Sequence, residues 1–204
     1  MEFVYVVKRY DLFALHFPHG FITGQEPNGW ARDGLLQRIR ERGFFLERRK
    51  AEEDSGFKQI IPYCVVRHGG DLFLLRRLPT QGEKRLHNKL SIGVGGHINP
   101  VDREGDLLDL GCERELAEEV AIPGKVKKRV VGFINDDATS VGSVHFGVVY
   151  RVDLPDREVE VREKGMMEGA LTPVSEVKRM AAGGADFETW SALVMARIDE
   201  VLQA

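Results

Sequence analysis

The sequence predicts an α/β (α+β) fold in which helices cover both faces of a mixed β-sheet. Runs rich in β-branched and aromatic residues, which are typical of strands, dominate the middle of the chain. One helical segment lies between these strands, and two more follow them at the end of the chain. The 204 residues are 43% hydrophobic and 30% charged, so the chain has enough apolar material for the core of one large domain.

The first 56 residues are interpreted as an extension packed on a main domain. The stretch FVYVVKRYDLFAL predicts one or two strands. A helix is predicted in NGWARDGLLQRIRERG, where Trp30, Leu35 and Ile39 recur roughly at helical spacing and Gly43 ends the segment. The charged stretch ERRKAEEDSG has no apolar period and is interpreted as a connector. We therefore predict an extension over residues 1–56, with a strand and a helix, and a main domain over residues 57–204.

The middle of the chain contains most of the predicted strands. Two apolar runs flank the turn signal HGGD in KQIIPYCVVRHGGDLFLLRRL, which predicts a β-hairpin. A short strand in KLSIGVGGHI runs into glycines, and the polar loop PVDREGD then leads to a helix in LLDLGCERELAEEV. Two further strands, in GKVKKRVVGFIND and SVHFGVVYRVDL, are separated by the polar turn DDATSVG.

Two helices are predicted at the end of the chain. A short helix in TPVSEVKRMAAGG is predicted with Thr172 as its N-cap and Pro173 at its first position. An amphipathic helix in DFETWSALVMARIDEVLQ is predicted with Asp186 as its N-cap.

Composition excludes several classes of protein. The net charge of −3 disfavours a stable nucleic-acid partner, because such binders are usually basic. The N-terminus does not resemble a signal peptide, and no apolar run reaches the ~20 residues of a membrane span. We expect a soluble, cytoplasmic protein without a membrane partner. Cys64 and Cys112 have no C-x-x-C spacing, which disfavours a disulfide framework or a zinc site and favours buried thiols.

Glutamates crowd one face of the helix between the strands. Glu115, Glu118 and Glu119 are spaced at i, i+3 and i+4, so their like charges destabilise the helix by a few tenths of a kcal/mol per pair. A hard cation such as Mg²⁺ or Mn²⁺ would remove that repulsion. Charge density alone favours a solvated helix face. Just upstream, Gly93, Gly95 and Gly96 follow a strand, where glycines let a ligand approach the backbone.

Together these residues resemble the signature of the Nudix hydrolases, G-x5-E-x7-R-E-U-x-E-E-x-G-U, in which U is a bulky aliphatic residue. The stretch RELAEEVAI, residues 114–122, matches the second half, with Ala121 in place of glycine, and Gly96 matches the first glycine. Asp106 stands where the family has glutamate, after nine residues instead of five. The resemblance covers roughly residues 57–204 and implies a Nudix-like α/β/α sandwich with a mixed β-sheet.

The resemblance also implies roles for residues of the motif. Glu115, Glu118 and Glu119 match the metal-binding glutamates, and Gly95 matches the residue whose carbonyl oxygen helps to bind the metal. Arg114 matches the arginine that pairs with the first acid of the motif and braces the loop against the helix. That acid would be Asp106, which also stands where a helix N-cap is expected, and the two roles can coexist.

The activity implied by the resemblance is metal-dependent hydrolysis of a diphosphate linkage in a nucleoside-diphosphate-like substrate (NDP-X), by attack of water on phosphorus. The cofactor would be Mg²⁺ or Mn²⁺, and Glu118, Glu119 and Arg114 would belong to the catalytic site. Residues further along the chain are expected to complete the site. These are Glu163, with Glu168 as the alternative, as general base, and His97, Arg77 and Arg85 as contacts of the substrate.

Other readings remain open at this point. The same fold occurs in isopentenyl-diphosphate isomerases, which use a cysteine close to the glycine strand, but SIGVGGHIN contains none. A non-catalytic nucleotide-binding or regulatory module with this fold is the other alternative, and the three helix glutamates argue against it. The partner is expected to be a small-molecule diphosphate, and the strand-rich N-terminus leaves a homodimer open.

Overall fold

The computed structural model describes residues 1–14, 18–26, 31–78, 88–101, 105–162 and 164–204. Strands run through most of this length and include one long strand near the middle. In chain order they are β1 (Phe3–Lys8), β2 (Gly20–Ile22), β3 (Phe44–Glu47), β4 (Phe57–His68), β5 (Asp71–Arg77), β6 (Leu90–Ser91), β7 (Val94–Gly95), β8 (Val120–Ala121), β9 (Lys127–Asn135), β10 (His145–Asp153), β11 (Glu160–Val161) and β12 (Met167–Pro173).

The helices are mostly short, and most of them pack against the sheet. In chain order they are α1 (Arg9–Phe13), α2 (Arg32–Arg42), α3 (Arg48–Glu53), α4 (Leu107–Glu119), α5 (Ser140–Val144), α6 (Val174–Ala182), α7 (Thr189–Met195) and α8 (Ile198–Gln203).

The central strand β4 organises the sheet. It pairs parallel with β10 and antiparallel with β1, β5 and β7. The main path of the sheet runs β12-β5-β4-β10-β9-β2, so parallel and antiparallel neighbours occur together as predicted. Strand β4 is apolar for most of its length because helices cover both of its faces.

Two hydrophobic clusters fill the space between the sheet and its helices. On one face, α1, α2 and α4 contribute buried leucines and isoleucine such as Leu12, Leu35, Ile39 and Leu116. On the other face, α6, α7 and α8 contribute buried valines and other apolar side chains. The α/β/α arrangement expected from the sequence is therefore confirmed.

The N-terminal extension adds strands to the same sheet. Strand β1 pairs with β3 and with β4, and β2 pairs with β9. Helix α2 and its end at Gly43 agree with the prediction, and β1 is the first of the one or two strands predicted before it. Arg9–Phe13 forms helix α1 instead of the alternative second strand, and Phe13 packs edge-on against Phe146 with ring centroids 5.2 Å apart. The charged connector contains helix α3, whose Ala51 is buried against Val4 and Val6.

The division of the chain at residue 56 remains a prediction. The central hairpin is confirmed, because β4 and β5 pair across the predicted turn. The polar turn before β10 contains the short helix α5, whose N-cap Thr139 accepts a hydrogen bond from the Gly142 N–H at 3.0 Å.

Among the described residues, no helix is both long enough and apolar enough to cross a bilayer. The cytoplasmic location and the homodimer stay predictions.

The C-terminal helices differ from the prediction at their ends. The residues before α6 form strand β12, so Pro173 is the N-cap position, and the Thr172 hydroxyl donates to the Ala170 carbonyl instead of capping. The last helix is two helices, because the backbone at Arg197 leaves helical geometry (φ −130°, ψ 30°). Glu188, not Asp186, caps α7 by accepting hydrogen bonds from the N–H groups of residues 190 and 191.

Candidate active site

A cleft of about 750 Å³ opens at one end of the sheet. Its walls come from the N-terminal extension, the strands around β4, the loop before β10 and the start of α7. Residues that line it are Arg48, Glu52, Ile61, Tyr63, Arg77, Lys89, Ser91, Gly93, Gly95, Gly96, His97, Glu119, Asp136, Thr139, Ser140, Val141, Gly142, Val144, His145, Glu188, Thr189 and Trp190. The cleft therefore contains the predicted residues Arg77, Gly95, His97 and Glu119.

Helix α4 carries the predicted metal-binding glutamates, of which Glu119 lines the cleft and Glu115 and Glu118 do not. Its residues Leu108, Cys112 and Leu116 are buried at helical spacing against the core. Asp106 caps the helix by accepting a hydrogen bond from the Leu108 N–H at 3.0 Å, as predicted. The buried stripe fixes the rotation of the helix, and Glu115 is consequently 8% exposed on the side of the glycine strand.

The glycine strand leaves room for the Glu115 carboxylate. A Cβ atom on Gly96 would lie 2.2 Å from Glu115 Oε2, so any other residue there would displace that carboxylate. A Cβ on Gly95 would lie 2.4 Å from the backbone carbonyl oxygen of Pro62. Gly96, just after β7, thus leaves space for the Glu115 carboxylate of α4, and Gly95 lets β7 lie close to β4.

Arg114 ties the helix to this loop. Its guanidinium donates to Glu115 Oε1 at 2.7 Å, to Glu118 Oε1 at 3.2 Å and to the backbone carbonyl of His97. It also contacts the side chain of Asn99, 3.4 Å away. The predicted bracing of loop against helix is therefore made through the His97 carbonyl.

Asp106 is not the residue that braces Arg114, and this part of the prediction was wrong. Its Oδ2 accepts hydrogen bonds from Arg40 of α2 at 2.6 and 2.9 Å, while its Oδ1 caps α4. Both carboxylate oxygens are therefore engaged at the start of the helix. The N-terminal extension contributes the partner of this acid.

The two contacts of Asp106 make different predictions for its variants. Asn caps a helix about as well as Asp, so Asp106→Asn is expected to change the free energy of unfolding by less than ~0.5 kcal/mol despite losing the exposed ion pair with Arg40. Asp106→Ala is expected to cost about 1 kcal/mol because the cap is lost. Urea denaturation measures both variants, and an equal loss in both would show that the charge of Asp106 matters more than its cap.

Glu119 and Arg77 face each other in the cleft. Glu119 Oε2 lies 3.9 Å from Arg77 Nη2, and both side chains are less than one-fifth exposed. Glu118 is 58% exposed and is held by Arg114 at the outer surface of the helix. A substrate phosphate near Arg77 would thus lie next to the carboxylate of Glu119.

The donor atoms at this place suit a hard cation. Gly95 offers a backbone carbonyl, and Glu115 lies in the space left by Gly96. Among the described residues, no three acidic, histidine or cysteine side chains converge closely enough to hold a metal by themselves. Mg²⁺ is usually bound by one or two carboxylates together with substrate phosphates, so a set of few carboxylates and one carbonyl fits it.

Two histidines pair inside the cleft. His97 Nε2 and His145 Nε2 lie 3.2 Å apart, and His145 Nδ1 lies 2.7 Å from the Val141 carbonyl, to which it must donate. Burial lowers the pKa of His145, and burial together with the nearby charge of Arg48 lowers the pKa of His97 to about 3. Both rings are therefore neutral near pH 7, and His97 Nε2–H donates to His145.

Other predicted residues lie elsewhere. Glu163 and Arg85 fall outside the described residues. Glu168, the alternative general base, lies exposed on β12 opposite Arg76 and is not among the residues that line the cleft. The role of Glu163 as general base stays a prediction.

Both cysteines are fully buried between β4 and α4, which agrees with the expectation of buried thiols. Their Sγ atoms lie 3.1 Å apart, and the pKa of Cys64 is raised by its hydrogen bond with Cys112 and by burial. Neither residue lines the cleft.

We expect both thiols to be inert in the folded protein. Because the thiolate is the reactive form, an aromatic disulfide reagent should label neither cysteine within the minutes that free cysteine requires. In urea both should react. Rapid labelling of one thiol in the folded protein would contradict the burial of both cysteines.

The sequence interpretation missed one wall of the cleft. Glu188 accepts hydrogen bonds from the Tyr63 hydroxyl at 2.7 Å and from the Ser191 hydroxyl at 2.6 Å, which joins α7 to β4. Trp190 lies beside Tyr63. The acidic cap and the aromatic residue after it, in DFETW, were the available signals.

Comparisons with known proteins agree with this architecture. No protein-family model matches the chain. Protein YmaB of Bacillus subtilis (strain 168) is 44% identical over 156 residues, which cover 74% of this chain and 75% of that protein. The crystal structure of Tm1382, provisionally described as a Nudix hydrolase, superposes with a TM-score of 0.80 at 28% identity, over 98% of this chain and 100% of the other. The NUDIX domain of Shewanella oneidensis NrtR, crystallised with ADP ribose, matches with a TM-score of 0.51 at 15% identity, over 71% of this chain and 88% of the other.

Proposed function

The chain belongs to the Nudix hydrolase family, and from this premise we propose that it is a metal-dependent hydrolase of nucleoside-diphosphate-like substrates (NDP-X). The reaction would be attack of water on phosphorus, which cleaves the diphosphate linkage. The small-molecule partner is then a diphosphate, and Mg²⁺ or Mn²⁺ is the proposed cofactor.

One observation carries the proposal. A single cleft contains Glu119 and Arg77, 3.9 Å apart, beside the Gly95 backbone and the Glu115 carboxylate that lies against Gly96. Carboxylates and a carbonyl beside an arginine provide groups for a cation and for phosphate at the same place.

Different residues of the cleft and of α4 would bind the substrate and the cation. Arg77, together with Lys89 and Arg48 in the cleft wall, would bind and orient phosphate oxygens, and His97 would contact the substrate as a neutral donor or acceptor. Glu115, Glu118, Glu119 and the Gly95 carbonyl would hold Mg²⁺ or Mn²⁺. A cation bound there supplies Lewis-acid stabilisation of the phosphates and lowers the pKa of a bound water.

Arg114 would keep the glutamates in place. Its bonds to Glu115 and Glu118 offset the repulsion between like charges on one helix face while no cation is bound. Its bond to the His97 carbonyl holds the loop that includes Gly95 and Gly96 against the helix. Proton removal from the attacking water is assigned to Glu163.

The alternative reactions are less well supported. An isomerase of the isopentenyl-diphosphate type would need a reactive cysteine in the cleft, whereas Cys64 and Cys112 are fully buried. A non-catalytic nucleotide-binding module would not need the three helix glutamates, and all three are present.

The test is a screen of nucleoside diphosphates linked to a second group, with Mg²⁺ or Mn²⁺ and with EDTA as the control. ADP-ribose is the first compound to try, since the NrtR domain was crystallised with it. Release of a nucleoside monophosphate and a second phosphomonoester, abolished by EDTA, is the expected result. Isomerisation of isopentenyl diphosphate, or tight nucleotide binding without turnover across the panel, would replace the proposal by one of the alternatives.

A further inference from the structure

Trp190 holds an unusual place for a large aromatic residue. It lies at the start of α7, half-buried, and its indole lines the same cleft as Glu119 and Arg77. Indole rings are large apolar surfaces that normally dominate cores or interfaces. An indole on the wall of a cleft that also contains charged side chains such as Arg77 and Glu119 therefore suggests contact with a ligand that enters the cleft.

The surroundings of Trp190 hold the ring in one position. A Cβ atom on Gly147 of β10 would lie 3.0 Å from Trp190 Cζ3, so the absence of a side chain at Gly147 leaves space for the six-membered ring of the indole. Tyr63 packs edge-to-face against the indole, with ring centroids 5.8 Å apart and planes at 72°. The Tyr63 hydroxyl is fixed in turn by Glu188 at 2.7 Å. A ring held in this way is preorganised, so a ligand that stacks on it loses little entropy in ordering it.

The same contacts connect Trp190 to the proposed phosphate site. Tyr63 pairs across the sheet with Gly95, whose carbonyl is a proposed metal ligand. The cationic side chains of the cleft are Arg48, Arg77 and Lys89, and none of them forms a described cation–π contact with Trp190. Among the described residues, the indole N–H makes no hydrogen bond, so this donor is available to a ligand in the cleft that Trp190 lines.

We propose that Trp190 is the platform on which the aromatic base of the nucleotide stacks when the diphosphate lies at Glu119 and Arg77. The proposal rests on the proposed function, because it assigns the nucleoside half of the substrate to the α7 side of the cleft. The second group, X, is then left to the side formed by the His97–His145 pair and by Arg48 and Glu52 of the N-terminal extension.

Binding can be measured without hydrolysis. The chain has two tryptophans, so the Trp30→Phe variant leaves Trp190 as the only indole reporter. Adenosine monophosphate is expected to quench its fluorescence, whereas ribose 5-phosphate, which has the sugar and phosphate but no base, should not. Nucleotides with the other bases show whether the platform prefers purines.

Variants of Trp190 separate stacking from packing. Calorimetric titration should show that Trp190→Ala and Trp190→Leu each weaken binding of adenosine monophosphate by about 5-fold to 150-fold, the range that loss of base stacking gives. Trp190→Phe keeps an aromatic face and should remain within about 5-fold of the parent protein. Ribose 5-phosphate should bind all variants within about 2-fold of the parent.

Leu keeps an apolar side chain beside Gly147, so Trp190→Leu should disturb packing less than Trp190→Ala does. Circular dichroism checks that each variant is folded. The proposal is wrong if the Trp190 variants lose affinity equally for adenosine monophosphate and for ribose 5-phosphate. It is also wrong if neither Trp190→Ala nor Trp190→Leu loses affinity for adenosine monophosphate. The same holds if no nucleotide binds the folded protein. A base-dependent signal at Trp190 without hydrolysis in the substrate screen would support the platform while rejecting the proposed reaction.

Discussion

Glu119→Gln is expected to lower kcat/KM on any hydrolysed diphosphate by at least about 100-fold, which corresponds to ~2.7 kcal/mol of transition-state stabilisation. The Glu119 side chain is 18% exposed, lines the cleft and lies 3.9 Å from Arg77. Gln has nearly the same shape, so the substitution removes the charge and one oxygen of the proposed metal site with little change in packing. Steady-state kinetics with Mg²⁺ and with Mn²⁺ measure the loss.

A matched control is available on the same helix. Glu113 is 64% exposed and bonds to Lys128 at 2.7 Å, away from the cleft. Glu113→Gln removes the same charge from α4 and should leave kcat/KM within about 2-fold, because single surface ion pairs contribute 0–1 kcal/mol to stability and the site is untouched.

Binding of Mn²⁺, followed by electron paramagnetic resonance, gives a second measure that does not depend on turnover. The affinity for Mn²⁺ should fall in Glu119→Gln and remain unchanged in Glu113→Gln. If the two variants behave alike in both measurements, the assignment of Glu119 to a metal site is wrong. A loss of activity without a loss of Mn²⁺ affinity would instead place Glu119 among the residues that act on water or substrate.

Local signals in the sequence were enough to predict the helix that carries Glu119 and the hairpin that carries Arg77. The register of RELAEEV and the cap at Asp106 predicted α4, and the run HGGD between apolar segments predicted the β4–β5 hairpin. Such features depend on residues a few positions apart, so their physical causes are visible in one short window.

The walls of the cleft could not be predicted in the same way. His97 and His145 are 48 residues apart, and Tyr63 and Glu188 are 125 residues apart, yet each pair is hydrogen-bonded. Helix α3 was missed because it has no apolar period; its buried residue is Ala51, which packs on β1, and Arg48 and Glu52 form an exposed ion pair. The extension thereby brings Arg48 and Glu52 into the cleft.

The error at Asp106 has the same origin. A family pattern predicts that the acid at the start of the motif pairs with Arg114. In this chain Arg40, 66 residues earlier, bonds to that acid instead, and Arg114 bonds to the loop backbone and to the glutamates. The choice between two arginines depends on how α2 packs, which no pattern within the motif contains.

The second large effect is expected in stability. Asp137→Asn should lower the free energy of unfolding at pH 7 by about 3 kcal/mol, because it leaves a buried charge without its counter-ion. Lys58 is fully buried on β4, and its ammonium donates to Asp137 Oδ1 at 2.8 Å and to the Gly142 carbonyl at 3.0 Å. Arg9 and Asn135 also donate to Asp137, so one carboxylate joins α1, β4 and β9.

The pKa values give this effect a pH dependence. Burial lowers the pKa of Lys58 to about 8, against an ordinary value of 10.5, although the bond to Asp137 opposes the shift. Burial opposes ionisation of Asp137 as well, but the hydrogen bonds from Arg9 and Lys58 outweigh it and hold the pKa of Asp137 well below its usual range. Both partners are therefore charged at pH 7, and the attraction between them is lost as pH rises through about 8 or falls through the pKa of Asp137.

Three consequences follow for the wild type and the variant. Between pH 8 and 10.5 the unfolded wild type binds one more proton at Lys58 than the folded protein does, so this group makes stability rise with pH in that interval. The penalty of Asp137→Asn should shrink above pH 8, where Lys58 is neutral, and leave only the part due to Arg9. Below the unfolded pKa of Asp137, the wild type loses the stability that the ionised carboxylate contributes in the folded state. The Asn variant has no such carboxylate, so this loss of stability at acid pH should be absent from it.

Urea denaturation at pH 3, 7 and 9.5 measures these differences. Asp33→Asn is the matched control, since Asp33 is exposed on α2 and its loss should change stability by less than ~0.5 kcal/mol. In a Lys58→Met background, the buried charge is absent, so Asp137→Asn should cost less and its penalty should no longer depend on pH above 7. A penalty that is the same with and without Lys58 would show that Arg9, not the buried lysine, is the partner whose loss destabilises the fold.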